Sequence, residues 1–147
     1  MVKKNYTTNF DLLSDKKAYR LFDANLNRAK EGLRVIEDTA RFIFDKQKLY
    51  KNIRSLRHKI DKLTRKIYPE LVGERNSKAD PGRKIKEGKR KNLEAILIAN
   101  FKRVEESLRV LEEYSRLIYP SAGPGFKSAR FSVYLLEKKV LNLNAKA

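Results

Sequence analysis

Asn25, Arg28, Glu31, Arg34, Glu37 and Arg41 recur seventy-five positions later as Asn100, Arg103, Glu106, Arg109, Glu112 and Arg116. Arginine and asparagine set at the margin of an apolar core are suited to gripping a bound ligand, because a buried polar group must find a partner. Carboxylates spaced among them can balance that charge. A helix that only fills a bundle need repeat its apolar letters and no others. Residues 24–45 and 99–120 share ten of 22 positions, and six of those ten are polar or charged. The repeat therefore preserves more than packing.

The elements that must position these groups are long helices. At 100° per residue, Leu26, Ala29, Leu33, Ile36, Ala40 and Ile43 form one apolar stripe. Asn25 lies within it, Gly32, Thr39 and Arg28 line one edge, and Glu37 and Arg41 line the other. The later copy repeats the pattern, with Asn100 inside and Ser107 and Arg103 on one edge. Gly32 and Ser107 are small, and leave room for a pocket beside the arginines. Surface pairs at i,i+3 and i,i+4 are expected for Glu31–Arg34, Glu37–Arg41 and Glu112–Arg116.

Along the chain, Ser14-Asp15 reads as an N-cap for a helix to about residue 44, and Asp45 as the cap of the next. That second helix carries Leu49, Ile53, Leu56, Ile60, Leu63 and Ile67, and Tyr68-Pro69 should end it. Residues 70–91 lack apolar periodicity and read as a long basic loop. Asn92 can cap a third helix running to Tyr119, closed by Pro120. SAGPG reads as a turn before a fourth helix, 126–143. Arg57/Arg130, Leu63/Leu136 and Lys66/Lys139 match at an offset of 73. The expected fold is thus all-α: one domain of 147 residues, a four-helix bundle made from a duplicated helical hairpin (14–69 and 92–143) about a pseudo-twofold axis, joined by the 70–91 loop.

Composition narrows the function classes. There is no Cys, which excludes disulfides and thiolate metal sites, and a single His, His58, excludes a multi-His site. His58 projects opposite its helix's apolar stripe and is expected to be a surface residue. No apolar run could span a membrane and the N-terminus lacks a signal-peptide core, so a cytoplasmic location is expected. Net charge +17 and a pI near 10.1 point to anionic partners. Eighteen acids threaded among the bases, without a recognition motif, argue against nucleic acid. A basic nucleic-acid-binding protein and a helical isomerase of the chorismate mutase kind stand as alternatives.

DANLNRAKEGLRVIEDTAR (23–41), LRH (56–58), Arg75, Asp80 and Gly82, and ANFKRVEESLRVLEEYSR (99–116) form one series. It resembles the small all-helical hydroxymethylpyrimidine-phosphate kinase family of thiamine biosynthesis, whose members occur alone or fused N-terminally to thiamine-phosphate synthase. Such relatives read R-D and D-V-G where this chain has Arg75-Asn76 and Asp80-Pro81-Gly82. The resemblance implies a standalone kinase that uses ATP and Mg²⁺ to phosphorylate hydroxymethylpyrimidine monophosphate, with a functional link to thiamine-phosphate synthase. The chain has no GxxxxGK[ST] loop, so phosphates must be held by helix side chains, for which arginine's planar fork is suited.

On that reading Arg28, Arg103, Arg34 and Arg109 clamp phosphates, while Asn25 and Asn100 position an oxygen or a pyrimidine edge. Glu31, Glu106 or Asp80 holds Mg²⁺. Arg57, Arg75 and the basic loop close over the nucleotide, and Glu37 and Glu112 are further candidates for substrate contact. A homo-oligomer is expected, because polar residues on several helix faces could place a site between subunits.

Overall fold

The computed structural model describes the backbone of residues 9–146 and the side chains of residues 16–146. Five helices account for the architecture: α1 (Asn9–Phe42), α2 (Gln47–Leu63), a short α3 (Tyr68–Gly73), α4 (Leu93–Ile118) and α5 (Gly123–Lys146). Among the described residues there are no strands. The four long helices pack in a ring, α1 against α2 and α4, and α5 against α4 and α2. The bundle expected from the repeat is the observed fold. No helix among the described residues is long and apolar enough to cross a membrane.

The apolar stripes converge on a single core. Leu26, Leu33 and Ile36 of α1, Ile53 and Ile60 of α2, Leu97, Phe101, Leu108 and Leu111 of α4, and Phe126 of α5 are all essentially inaccessible. Phe22 and Phe126 meet edge to face, with ring centroids 5.7 Å apart. Leu49, Ile53, Leu56 and Ile60 are the buried residues of α2, the spacing of a helix that buries one face.

Several boundaries differ from expectation. Ser14 and Asp15 lie within α1, which is already helical at Asn9. Asp45 does not cap α2; Lys46 holds that position. Asp45 instead adopts φ 52°, and the Lys46 amide donates to the Ala40 carbonyl at 3.0 Å, closing the end of α1. The second helix ends at Leu63 rather than Tyr68. Pro69 then sits in the first turn of α3, where a proline forfeits no intrahelical hydrogen bond. Residues 70–91 are therefore not all loop. Leu71 of α3 is fully buried, and a 3-10 turn spans Pro81–Lys84.

The start of α4 follows expectation. Asn92 is extended (φ −160°, ψ 178°), and its Oδ1 accepts from the Ala95 amide at 2.8 Å. Asn92→Ala is expected to lower stability by about 1 kcal/mol, read as a shift of the urea midpoint. The helix ends at Ile118, and Pro120–Ala122 form a 3-10 turn leading into α5 at Gly123. SAGPG is thus half turn and half helix.

Candidate functional site

The duplication is visible in atomic detail. Asn25 Nδ2 donates to the Leu21 carbonyl at 3.0 Å, and Asn100 Nδ2 donates to the Ile96 carbonyl at 2.8 Å. Arg57 of α2 grips Glu37 of α1 through Nε at 2.7 Å and Nη2 at 3.3 Å. Arg130 of α5 grips Glu112 of α4 in the equivalent way, through Nε and Nη2, both at 3.0 Å. The Glu37 and Glu112 side chains are only 2% and 5% exposed. They are not the partners of Arg41 and Arg116 expected from the sequence. Arg41 stacks over Phe42 and Tyr50, and Arg116 lies 3.8 Å from Glu113. A carboxylate pointing inward needs a cation from a neighbouring helix, and Arg57 and Arg130 supply it. The repeated glutamates and these arginines brace each hairpin.

Arg28 and Arg103 come together. They line one cavity of about 700 Å³ between α1, α4 and the connecting segment, with Asn25, Lys102, Glu106, Ser107, Asp80, Arg83 and Arg90 also in its wall. Both arginines are exposed and form no hydrogen bond or ion pair among the described residues. Asn25 is buried at the margin of the core and reaches this cavity; Asn100 does not line it. Asp80 and Glu106 are the two sequence-predicted metal ligands found here. Asp80 Oδ1 accepts from the Gly82 amide at 2.9 Å, which shapes the turn that brings this segment over the helices.

Other predicted residues lie elsewhere. Glu31 and Arg34 line a separate cavity of about 440 Å³ with Lys30, Arg57, His58, Asp61 and Arg65. Arg34 pairs with Asp38, not with Glu31. His58 is exposed, as expected. Arg109 faces Glu112 and Glu113, at 3.3 and 2.7 Å. Of the four arginines expected to clamp phosphates, Arg28 and Arg103 thus lie together, while Arg34 and Arg109 are engaged with carboxylates. Arg75 is bound to Asp23 of α1 by two hydrogen bonds of 2.7 and 2.8 Å, which tie the segment after α3 to α1. The Asp23 carboxylate, accepting those bonds, raises the Arg75 guanidinium above its ordinary value. Arg20 reinforces the tie by donating to the Asn76 carbonyl at 3.2 Å.

The repeat concealed some of the cavity. Lys102 has Asn27 as its counterpart, so a search for residues present in both halves passes over it. Lys102 lies 3.5 Å from Glu105 and 3.6 Å from Glu137. Burial, and then the adjacent Glu137 carboxylate, push the Glu105 carboxyl up to about 7. Its folded value exceeds the ~4.3 of a free glutamate, so the stability linked to this proton is complete below pH ~4 and is lost as pH rises through 7. Glu105→Gln should therefore melt with wild type near pH 4 and above it at pH 8. The gain at pH 8 should be about 1–2 kcal/mol, discounting for the nearby solvent.

Among the described residues there is no group of three or more His, Cys, Asp or Glu arranged to hold a metal ion. What the cavity offers is a cationic wall of Arg28, Arg83, Arg90, Lys102 and Arg103, three carboxylates (Asp80, Glu87 and Glu106), and the polar Asn25 and Ser107. Such an arrangement suits a phosphorylated small molecule, since guanidinium groups bind phosphate oxygens in pairs.

Residues 20–139 match the ThiD2 family. The chain belongs to the ThiD2 family. The match takes in the whole cavity, from Asn25 to Val110. The chain is also 42% identical over 126 residues to the thiamine-phosphate synthase of Nostoc punctiforme, an alignment covering 84% of this chain and 35% of that protein. It is 42% identical over 128 residues to the thiamine-phosphate synthase of Thermosynechococcus vestitus, covering 85% and 35%. The corresponding Synechocystis protein is 40% identical over 128 residues, covering 83% and 36%. This ThiD2 chain thus spans about a third of the length of these curated relatives, and stands with proteins of thiamine biosynthesis. No solved structure matches it.

Proposed function

We propose that this ThiD2 protein is a kinase that transfers the γ-phosphate of ATP to hydroxymethylpyrimidine monophosphate, making the diphosphate for thiamine phosphate synthesis. The observation that carries the reading is the meeting of Arg28 and Arg103, one from each repeat and neither paired among the described residues, across a single cavity. The curated relatives are named thiamine-phosphate synthase, which supports a place for this chain in the making of thiamine phosphate.

The chemistry asks little of the protein in proton transfer. A phosphate monoester has its second pKa near 6, so at pH 7 its attacking oxygen is already mostly anionic. That oxygen bonds to the γ-phosphorus as the bond to the bridging oxygen of ADP breaks. What must be supplied is positive charge between two repelling phosphates. Arg28 and Arg103 grip phosphate oxygens from the two helices, and Lys102, Arg83 and Arg90 add charge at the rim. Asp80 and Glu106 fit Mg²⁺, which keeps most of its waters, takes one or two carboxylates beside substrate phosphates, and would neutralise charge there.

The test is a coupled assay with Mg-ATP and hydroxymethylpyrimidine monophosphate, in which thiamine-phosphate synthase consumes the diphosphate. Turnover of the monophosphate is expected, with free hydroxymethylpyrimidine left unphosphorylated. Absence of turnover by the folded protein would refute the proposal.

A further inference from the structure

Two polar groups in the cavity wall, Asn25 and Ser107, open onto it without a protein partner for their oxygens among the described residues. Asn25 is 7% exposed and spends one Nδ2 hydrogen on the Leu21 carbonyl, leaving Oδ1 without a partner among the described residues. Ser107 is 3% exposed, and its hydroxyl likewise has no partner among the described residues. Other buried hydroxyls of these helices behave differently. Thr39 donates to the Val35 carbonyl at 2.9 Å and Ser115 to the Glu112 carbonyl at 2.9 Å. A hydroxyl and an amide oxygen that face a cavity with no protein partner are free to hydrogen-bond a ligand there.

The duplication supplies the contrast. Gly32 stands in α1 where Ser107 stands in α4, and at Gly32 the helices close up. A Cβ there would lie 2.6 Å from Val104 Cγ2 and 3.2 Å from the Asn100 carbonyl oxygen. The small residue at 32 therefore serves close helix contact, not the pocket expected from the sequence, and Asn100, half-buried beside it, lies outside the cavity. Of two equivalent positions, one is filled by packing and the other opens onto the cavity.

We infer that Asn25 Oδ1 and Ser107 Oγ read the amine-and-ring-nitrogen edge of an aminopyrimidine whose phosphate lies against Arg28 and Arg103. Asn25 Oδ1 accepts from the ring amine and the Ser107 hydroxyl donates to the adjacent ring nitrogen, a pairing that a ring lacking the amine cannot complete. The inference rests on the kinase reading for the identity of the ring, and makes Ser107 a specificity-determining residue that the repeat could not reveal.

The experiment compares wild type and Ser107→Ala with hydroxymethylpyrimidine monophosphate and its desamino analogue, by steady-state kinetics and by calorimetric titration. Thermal melting confirms that the variant is folded. Loss of one ligand hydrogen bond should raise KM and Kd for the monophosphate about tenfold. The effect should fall in KM rather than kcat, leave the KM for ATP unchanged, and erase most of the preference for the amino ring. Unchanged KM and unchanged preference in Ser107→Ala would overturn the pairing while leaving the kinase standing. If wild type binds the monophosphate in a Ser107-dependent way but never phosphorylates it, the pairing holds and the kinase reading fails. If wild type does not bind the monophosphate at all, the pairing is wrong.

Discussion

Arg28→Ala and Arg103→Ala should each lower kcat/KM for the monophosphate at least tenfold, and the double variant a hundredfold or more. Removing one preorganised donor from a site of developing negative charge costs about 10²–10³ in rate in well-studied sites, and these guanidiniums sit where the cavity gathers charge. Neither holds the fold together. Both are exposed and make no ion pair among the described residues, so stability should change by no more than about 0.5 kcal/mol. The diagnostic result is therefore a large kinetic loss with an unchanged urea midpoint. Full activity in both single variants would remove the clamp from the mechanism. Arg34→Ala and Arg109→Ala are the comparison, since those side chains are engaged by Asp38 and by Glu112 and Glu113. Their kinetic effects should be small.

The opposite pattern is expected at Arg57. Arg57→Ala removes two hydrogen bonds from Glu37, a carboxylate only 2% exposed. Breaking a buried pair from one side costs about 3–5 kcal/mol, because the remaining charge is stranded away from water. With a urea slope of about 1–3 kcal/mol per molar, the midpoint should fall by roughly 2 M. Changing both partners, Glu37→Leu with Arg57→Met, should recover most of that loss, since matched apolar side chains leave no unpaired charge. If the single variant instead kept its stability and lost turnover, Arg57 would belong to the substrate site, as the family resemblance implied. The equivalent pair Arg130–Glu112 sets an internal control. There Arg109 also lies 3.3 Å from Glu112, so Arg130→Ala leaves that carboxylate a cation and should lose less stability than Arg57→Ala.

The sequence by itself determined the class of fold and its symmetry. Apolar residues at helical spacing, few breakers and a seventy-five-residue repeat leave little but a duplicated helical hairpin, since two one-sided hairpins must bury their stripes against each other. It also brought Arg28 and Arg103 forward, because a charged identity retained at a core margin in both copies is hard to explain by packing. Asn92 as a helix cap was legible for a local reason, the fit of one side chain to the next turn's amides.

Only the tertiary structure decided which repeated residues face one another. Periodicity gives an angle around a helix axis but not what stands opposite, so Glu37 was readable as half of a surface pair with Arg41 or as a substrate contact, and not as the buried partner of Arg57. The same blindness split the four arginines into two that share a cavity and two that do not. Gly32 and Ser107 occupy equivalent places in sequence, yet one is filled by Val104 and the other opens onto the cavity. Residues 70–91 carried no period at all, so their tie to α1 through Arg75 and Asp23, and their role as the cavity's outer wall, emerged only when the chain was folded. A repeat records what two halves share, whereas a binding site depends on where they differ.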